Sequence, residues 1–202
     1  MPIAQPSPRI APLEPPFPDE LAASLAKWMP PGAPVPPLAL FRTLAHHSLL
    51  FERLRPAGAA LLGKGLLPPR VRELVILRTC ARCGCAYEWG VHAAMLGAAE
   101  TAAPSGSMTR GGAAVGLDRA TIDATWVPAR AIDPADWLIV RAADELHDSG
   151  TLADETWAAL AARFEPPALL ELCALAGFYH LISFVANGPR VPLEPWAIRP
   201  PC

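Results

Sequence analysis

Four side chains with acid, thiol and imidazole groups lie close together in an apolar part of the sequence: Glu73, Cys85, Glu88 and His92. They lie next to or within apolar stretches such as Leu74–Leu77, and residues in stretches of this kind are usually buried. A buried carboxylate or imidazole must be paired, because an isolated buried charge is costly. These groups are typical of acid–base or nucleophilic catalysis, so the segment predicts an active site.

Two successive helices are expected to position these four residues. The spacing of apolar residues predicts a first helix from about Pro69 to Arg82. Gly84 predicts a break, followed by a second helix that begins at Cys85 and ends near Gly97. At about 100° per residue, positions 85, 88 and 92 share one face of the second helix. An antiparallel return of the chain brings Glu73 to the same face.

The expected location of Cys85 at a helix N-terminus predicts a lowered thiol pKa, because the helix dipole favours an anion there. The same geometry suits a substrate carboxylate. Glu73 and His92 predict a proton relay in an apolar pocket. Tyr87 and Trp89 flank the reactive face and are predicted to contact the substrate.

The order Glu73, Cys85, Glu88, His92 resembles the core motif of the carboxymuconolactone decarboxylase and AhpD-like (alkylhydroperoxidase D-like) superfamily. Its redox members have a glutamate, eleven residues, and then Cys-x-x-Cys-x-x-x-His, and eleven residues also separate Glu73 from Cys85. The similarity covers residues 67–78 and 87–92 and is weaker elsewhere, including Gly177-Phe-Tyr-His180.

One departure from the redox pattern affects the expected reaction. Glu88 stands where the peroxidase-type motif has its second cysteine, and Tyr87 stands where some members have a histidine. The resemblance therefore implies decarboxylase or other lyase-type chemistry, without a cofactor or metal, on a small organic acid or lactone. Glu73 and His92 would relay a proton, Glu88 would orient His92 or act as the acid, and Cys85 would line or polarise the pocket.

Two other functions remain open from the sequence. The first is a thiol-dependent alkylhydroperoxidase, peroxiredoxin-like in its antioxidant role, in which Cys85 attacks peroxide and Cys83 or Cys80 resolves the intermediate. The second is a non-catalytic oligomeric binding protein that keeps the fold. Cys80, Cys83, Cys85 and His92 offer a zinc ligand set, but their spacing is not a common zinc pattern, so no metal is predicted.

The composition favours a cytoplasmic protein of one main domain. A chain of 202 residues is long enough for a core of its own. The net charge of −2 comes without a basic cluster, which argues against nucleic-acid binding. The chain starts without a basic and apolar leader, and its longest nearly uncharged stretch, Leu172–Arg190, is too interrupted to predict a membrane span. Five cysteines do not form a secreted disulfide pattern.

The chain divides into an N-terminal arm and a helical domain. Residues 1–37 hold twelve of the 25 prolines and predict an extended arm with one helix, Asp19–Trp28, capped by Asp19. Residues 38–202 form the AhpD-like domain, with a flexible insertion at about residues 99–116 that is rich in glycine and serine. The arm is expected to wrap this domain or a neighbouring subunit.

The domain is predicted to be all-α, since no segment has the alternating pattern of a strand. Its other predicted helices are Leu38–His46, Ser48–Leu62 with a kink or boundary at Pro56, Asp118–Thr125, Asp133–His147, Glu155–Phe164 after a capping box at Thr151–Asp154, and Pro166–Val185. The last helix is apolar on nearly every side, which predicts a central or interfacial position. The superfamily forms trimers or larger rings, so the resemblance implies a homo-oligomer, a trimer or hexamer. His46, His47 and His147 are expected at helix ends without a metal.

Overall fold

The structure, a computed structural model, describes residues 7–29, 33, 35–96, 115–127 and 132–201. All regular secondary structure in those ranges is helical, which confirms the predicted fold class. The helices are α1 (Asp19–Ala26), α2 (Ala39–Leu44), α3 (Ser48–Gly63), α4 (Pro69–Arg82), α5 (Ala86–Leu96), α6 (Arg119–Ala124), α7 (Pro134–Ser149), α8 (Asp154–Ala161) and α9 (Pro166–Asn187).

Helices α4 and α5 form the predicted central pair. Pro69 occupies the first turn of α4, where a missing backbone N–H costs nothing. Gly84 has a φ of +59°, a conformation that L side chains adopt only with strain, and it reverses the chain between the two helices. The helix break was therefore predicted at the right residue. Cys85 precedes α5 rather than starting it.

A series of ion pairs joins α4 to α7. Arg70 binds Asp136, Arg78 binds Asp144 and Arg82 binds Asp148, each partner lying 66 residues further along the chain. The constant separation means that both helices advance in the same direction, so α4 and α7 pack parallel. In the Arg78–Asp144 pair the two nitrogens lie 2.6 and 2.9 Å from the two carboxylate oxygens. This bidentate geometry fixes the register of the helices.

Several helix boundaries differ from the sequence-based expectations. Pro18, not Asp19, precedes α1, and no side chain caps that helix. Pro56 lies inside a continuous α3. Before α8, the Ala153 N–H donates to Glu145 instead of to a capping box within the segment.

Helix α7 follows its sequence signals closely. The Asp133 side chain accepts from the Ala135 N–H at 2.8 Å, and Gly150 ends the helix with a φ of +70°. Asp118 caps α6 as predicted, through the Thr121 N–H. Most of the predicted insertion, residues 99–116, lies outside the described residues.

Helix α9 runs through the core but keeps one apolar face uncovered. Leu172, Leu175 and Tyr179 are buried, whereas Leu170 and Phe184 are exposed. With 22 residues it is, by length and composition, able to cross a membrane, contrary to the expectation from the interrupted apolar stretch. A core helix of a globular domain has the same features, and the buried residues of α9 pack among α4 and α5.

The C-terminal segment after α9 crosses α5. The Ile198 N–H donates to the Gly90 carbonyl at 3.1 Å, and a Cβ at Gly90 would overlap the Ile198 carbonyl oxygen. Glu194 accepts from the Tyr87 hydroxyl at 2.6 Å and from the Ala39 N–H at 2.6 Å. This segment therefore fixes α5 against α2, on either side of the predicted site.

Candidate active site

The centre of the site is a buried hydrogen-bonded chain of three side chains. His92 Nδ1 lies 2.9 Å from Glu73 Oε2, and His92 Nε2 lies 2.9 Å from the Tyr179 hydroxyl. A carboxylate can only accept, so Nδ1 carries the proton. When the imidazole is neutral, Nε2 therefore accepts from Tyr179. The predicted meeting of residue 73 with residue 92 occurs in the structure.

Glu73 is fully buried, and its two oxygens have separate partners. Oε1 accepts from Arg72 Nε at 3.1 Å, and Oε2 accepts from His92. Burial raises the pKa of the Glu73 carboxyl, but His92 and Arg72 more than offset this and leave the pKa lowered. Glu73 is therefore held as an anion.

Glu88 has the opposite environment, one turn before His92 on α5. Its Oε2 lies 3.8 Å from His92 Nε2, too far for a hydrogen bond, and no described side chain hydrogen-bonds its carboxyl group. Burial raises the Glu88 pKa, His92 lowers it, and the Glu194 carboxylate raises it, with a net rise. Two nearby carboxyl groups thus differ in protonation tendency, a pattern typical of an assigned base and acid.

His92 links the two carboxyl groups. Burial lowers the pKa of its imidazole, but the Glu73 carboxylate, aided by Glu88, more than reverses the effect and leaves the pKa raised. An imidazolium held between two carboxyl groups can give a proton at Nε2 and take it back. His92 is one of the residues that line the cavity described next.

A cavity of about 340 Å³ opens onto this chain. Glu88, His92 and Tyr179 are polar groups in its wall. Most of the remaining wall is apolar: Trp28, Met29, Leu38, Leu40, Phe41, Leu62, Val91, Met95, Phe178 and Ile182. The size and composition suit a small organic molecule with few polar groups.

Two cations at the same cavity were missed by sequence reasoning. Lys27, which is exposed, and Arg55, which is half-buried, belong to its lining. Lys27 directly follows α1, and Arg55 lies within α3. Both residues are therefore far in sequence from the motif. Trp28 comes from the N-terminal arm and stacks on Phe51 at 4.7 Å between ring centroids. The arm thus helps to build the cavity, a role that its proline content does not indicate.

Cys85 departs from its predicted environment. Its side chain is fully buried and is not part of the cavity wall. Burial, followed by the Glu88 charge, raises the thiol pKa to about 12, so the predicted lowering of its pKa is wrong. Burial outweighs the favourable helix N-terminus because the dipole effect is modest. The catalytic role of Cys85 stays a prediction.

Tyr87 and Trp89 also lie away from the cavity wall. The Tyr87 hydroxyl donates to Glu194 and accepts from the Leu40 N–H, while Trp89 Nε1 donates to Thr125 Oγ1 at 2.9 Å. Trp89 is fully buried against Trp126. The structure gives both residues packing contacts in place of the predicted contacts with substrate. Glu88 and His92 lie on the face of α5 that lines the cavity, and their neighbours Tyr87 and Trp89 lie on other faces of the helix.

The four residues of the sequence-derived zinc set do not converge. His92 is engaged by Glu73 and Tyr179, and Cys80 and Cys85 lie by Ser183. Cys83, which directly follows α4, lies near both Ser183 and His147.

Comparison with known proteins agrees with the sequence resemblance. Residues 49–124 match the model of the carboxymuconolactone decarboxylase family. The chain also resembles a solved structure, an uncharacterized peroxidase-related protein from Silicibacter sp. TM1040, with a TM-score of 0.69 and 14% identity. The likeness covers 90% of this chain and 88% of that one. No curated protein matches the sequence.

The family match spans residues 49–124, which extend from α3 to α6 and hold the whole motif. The structural likeness establishes the all-α AhpD-like fold over most of the chain. Neither the family match nor the fold specifies a reaction.

Proposed function

We propose that the protein is a lyase of the decarboxylase type, which uses acid–base chemistry on a small organic acid or lactone. The observation that carries the proposal is the chain Glu73–His92–Tyr179 with the His92 ring at an apolar cavity. A positioned imidazole next to an apolar pocket is the usual means of moving a proton to or from carbon or oxygen.

Each polar group has a role in the proposed reaction. His92 Nε2 takes a proton from the substrate or returns it, and the Glu73 carboxylate stabilises the imidazolium that forms. Glu88, with its raised pKa, is the acid that protonates developing negative charge on a substrate oxygen or carbon. The Tyr179 hydroxyl orients Nε2 and donates to it in the neutral state.

The cations support an acidic substrate. Lys27 and Arg55 border a cavity that is otherwise mainly apolar. A carboxylate held by these two residues would place the apolar body of the molecule toward His92. Guanidinium and ammonium groups bind carboxylates well, and the exposure of Lys27 and the partial exposure of Arg55 avoid their full desolvation.

The test starts with a thermal-shift screen of small carboxylates and lactones, since a ligand of the folded state raises Tm. Hits are then assayed for product formation with the wild type, His92→Gln and, as a matched control, His46→Gln. His46 contacts the Ala11 carbonyl at the surface and lies outside the cavity wall. We expect turnover to fall by about 100-fold or more in His92→Gln only. Equal turnover in all three proteins contradicts the proposal.

A thiol peroxidase is the second candidate, because Cys80, Cys83 and Cys85 all lie near the Ser183 hydroxyl. The interaction with this hydroxyl acts to lower the pKa of each thiol. Its difficulty is the raised pKa of every one of these thiols, since the attacking species is the thiolate. Peroxide reduction with a dithiol donor decides between the candidates: brisk consumption that vanishes in Cys85→Ser favours the peroxidase.

A binding protein without turnover would give a third result. In that case Glu73→Gln and His92→Gln change ligand affinity or stability, and no substrate of the screen is converted by the wild type.

A further inference from the structure

Three helices bring a thiol and two imidazoles together on a different face of α9 from the cavity. Cys83 Sγ lies 3.9 Å from His147 Nδ1, and His147 Nδ1 lies 2.9 Å from His180 Nε2. The three ligand atoms all lie within 4.8 Å of one another. None of these residues takes part in the proposed reaction.

The three residues come from separate elements that pack firmly. Cys83 directly follows α4, His147 is in the last turn of α7, and His180 is within α9. The Cys83 carbonyl accepts from Asn187 Nδ2 at 2.9 Å, which ties the end of α4 to α9. The backbone around the cluster is therefore held in place independently of any ligand.

The hydrogen bond of His180 to its own helix prepares this ring to bind a cation. Its Nδ1 lies 2.8 Å from the Ala176 carbonyl oxygen, which can only accept, so Nδ1 carries the proton and Nε2 carries a lone pair. A backbone carbonyl that fixes the tautomer of a ligating histidine is a common feature of metal sites. The free lone pair points toward His147 and accepts from it when no metal is bound.

The protonation state of His147 also suits metal binding. Burial lowers the pKa of its imidazole, and the Arg82 charge and His180 lower it further, against smaller opposing effects of Asp148 and Asp144. A neutral ring can change tautomer and offer Nδ1 as a ligand. The sequence suggested only a surface residue at a helix end, and the structure shows a half-buried ring stacked on His180 at 5.1 Å.

We propose that Cys83, His147 and His180 bind a divalent transition-metal ion of the Zn²⁺ class, with the fourth position open to solvent. Tetrahedral zinc with its normal bond lengths separates two nitrogens by about 3.3 Å and a nitrogen from a sulfur by about 3.6 Å. The observed separations of 2.9 and 3.9 Å are within a few tenths of these values. All three side chains are half-buried.

Binding exchanges a proton for the metal. Burial raises the pKa of the Cys83 thiol, while the Ser183 hydroxyl and Arg82 lower it. The thiol therefore loses its proton when the metal–sulfur bond forms, and His147 only shifts its proton from Nδ1 to Nε2. The redox state of sulfur and metal is unchanged. One proton is released for each ion bound.

Co²⁺ is the spectroscopic probe for the test, because it occupies zinc sites and gives a thiolate charge-transfer band together with the visible bands of tetrahedral coordination. Untagged full-length protein is titrated with Co²⁺ under reducing conditions. We expect one ion per chain, loss of the thiolate band in Cys83→Ser, and a weakening of binding by about tenfold or more in His180→Gln.

Two matched variants serve as controls. Cys173→Ser removes another partly buried free cysteine, and His46→Gln removes a histidine at the surface. Both should bind Co²⁺ as the wild type does. A wild type without a thiolate band, or a band that survives in Cys83→Ser, overturns the proposal.

A second measurement needs no variant and covers a failure of Cys83→Ser to fold. Wild-type protein is alkylated with and without Zn²⁺, and modified peptides are quantified by mass spectrometry. At free Zn²⁺ of 100 times Kd, alkylation of Cys83 should slow by about 100-fold while that of Cys173 is unchanged. Equal rates at Cys83 in both conditions refute the site. The result is independent of the acid–base proposal, because the cavity residues are not involved.

Discussion

Glu73 and Glu88 have the same side chain, but their surroundings shift the pKa of the carboxyl group in opposite directions. Glu73 has two cationic neighbours within 3.1 Å and a lowered pKa. Glu88 has only a longer contact with His92 and a raised pKa. The raised pKa of His92 follows from the first of these carboxylates, so it should depend on residue 73.

We expect Glu73→Gln to lower the pKa of His92. The amide cannot stabilise the imidazolium, whereas the burial that disfavours the charged ring persists, so the raised pKa falls. An NMR pH titration of the imidazole measures the change. Glu155→Gln is the control, because the Glu155 side chain is 88% exposed and forms an ion pair with Arg141 at 3.8 Å. An unchanged His92 titration in Glu73→Gln would mean that the two groups are not coupled.

The sequence predicted this part of the site because local geometry determines it. Residues 88 and 92 are one turn apart, so any helix places them on one face. Tyr179 could not be found in this way, because it contacts His92 across 87 residues of sequence. The pKa of Cys85 was mispredicted for the same reason. Burial in the folded core decides it, and a helix N-terminus cannot reveal that burial.

At the level of elements, the parallel packing of α4 on α7 depends on ion pairs of unequal burial. The Arg78 side chain is 8% exposed and that of Asp144 is 19% exposed. The Asp148 side chain, in the neighbouring pair, is 59% exposed. A buried cation that loses its partner costs more free energy than an exposed one.

Asp144→Asn should therefore lower the free energy of unfolding by about 2–3 kcal/mol. The control Asp148→Asn should lower it by less than about 1 kcal/mol. Chemical denaturation followed by circular dichroism measures both. Similar losses in the two variants would show that burial does not govern these pairs.

The turn between α4 and α5 gives a second prediction at this level. Gly84 has a positive φ, so Gly84→Ala should destabilise the protein by about 1 kcal/mol although the added Cβ meets no atom within 4 Å. Gly177 lies inside α9 and also has free space, so Gly177→Ala should stabilise by about 0.5–1 kcal/mol. Thermal unfolding gives the sign of each change. Stabilisation by Gly84→Ala would contradict the strained turn.

Signals for such elements are readable in the sequence when they are local. Pro69, Gly84, Asp133 and Gly150 each mark a boundary that the structure has, because their backbone preferences act without partners. The prediction that Asp19 caps α1 is wrong, because Pro18 occupies the capping position. The pairing of α4 with α7 was not predicted, since charges 66 residues apart leave no local pattern.

At the scale of the whole molecule, the N-terminal arm and the C-terminal segment add contacts to the site that α4 and α5 form. Trp28 is part of the cavity wall, and Glu194 holds Tyr87 and α2 in place through hydrogen bonds.

An apolar surface on α9 is exposed, where Leu170 is 70% and Phe184 is 63% exposed. Exposed apolar surface on a helix is typical of a subunit interface. The predicted homo-oligomer is thus still a prediction, with a specific face to test.

Phe184→Glu should shift the protein to smaller species in sedimentation velocity at micromolar concentration, because a charge on that face opposes its burial. Leu66→Glu is the matched control, since Leu66 is 63% exposed in the connection before α4. A wild type that sediments as a monomer would rule out the oligomer, and equal effects of both variants would place the interface elsewhere.

The central claim is that His92, held by Glu73, moves a proton to or from a substrate in the cavity. The most direct measurement is deuterium incorporation from heavy water into a bound carbon acid, or its product, by the wild type and by His92→Gln. The account predicts incorporation by the wild type at a rate that falls by about 100-fold or more in the variant, with the ligand still bound. Incorporation at the same rate in His92→Gln would contradict it.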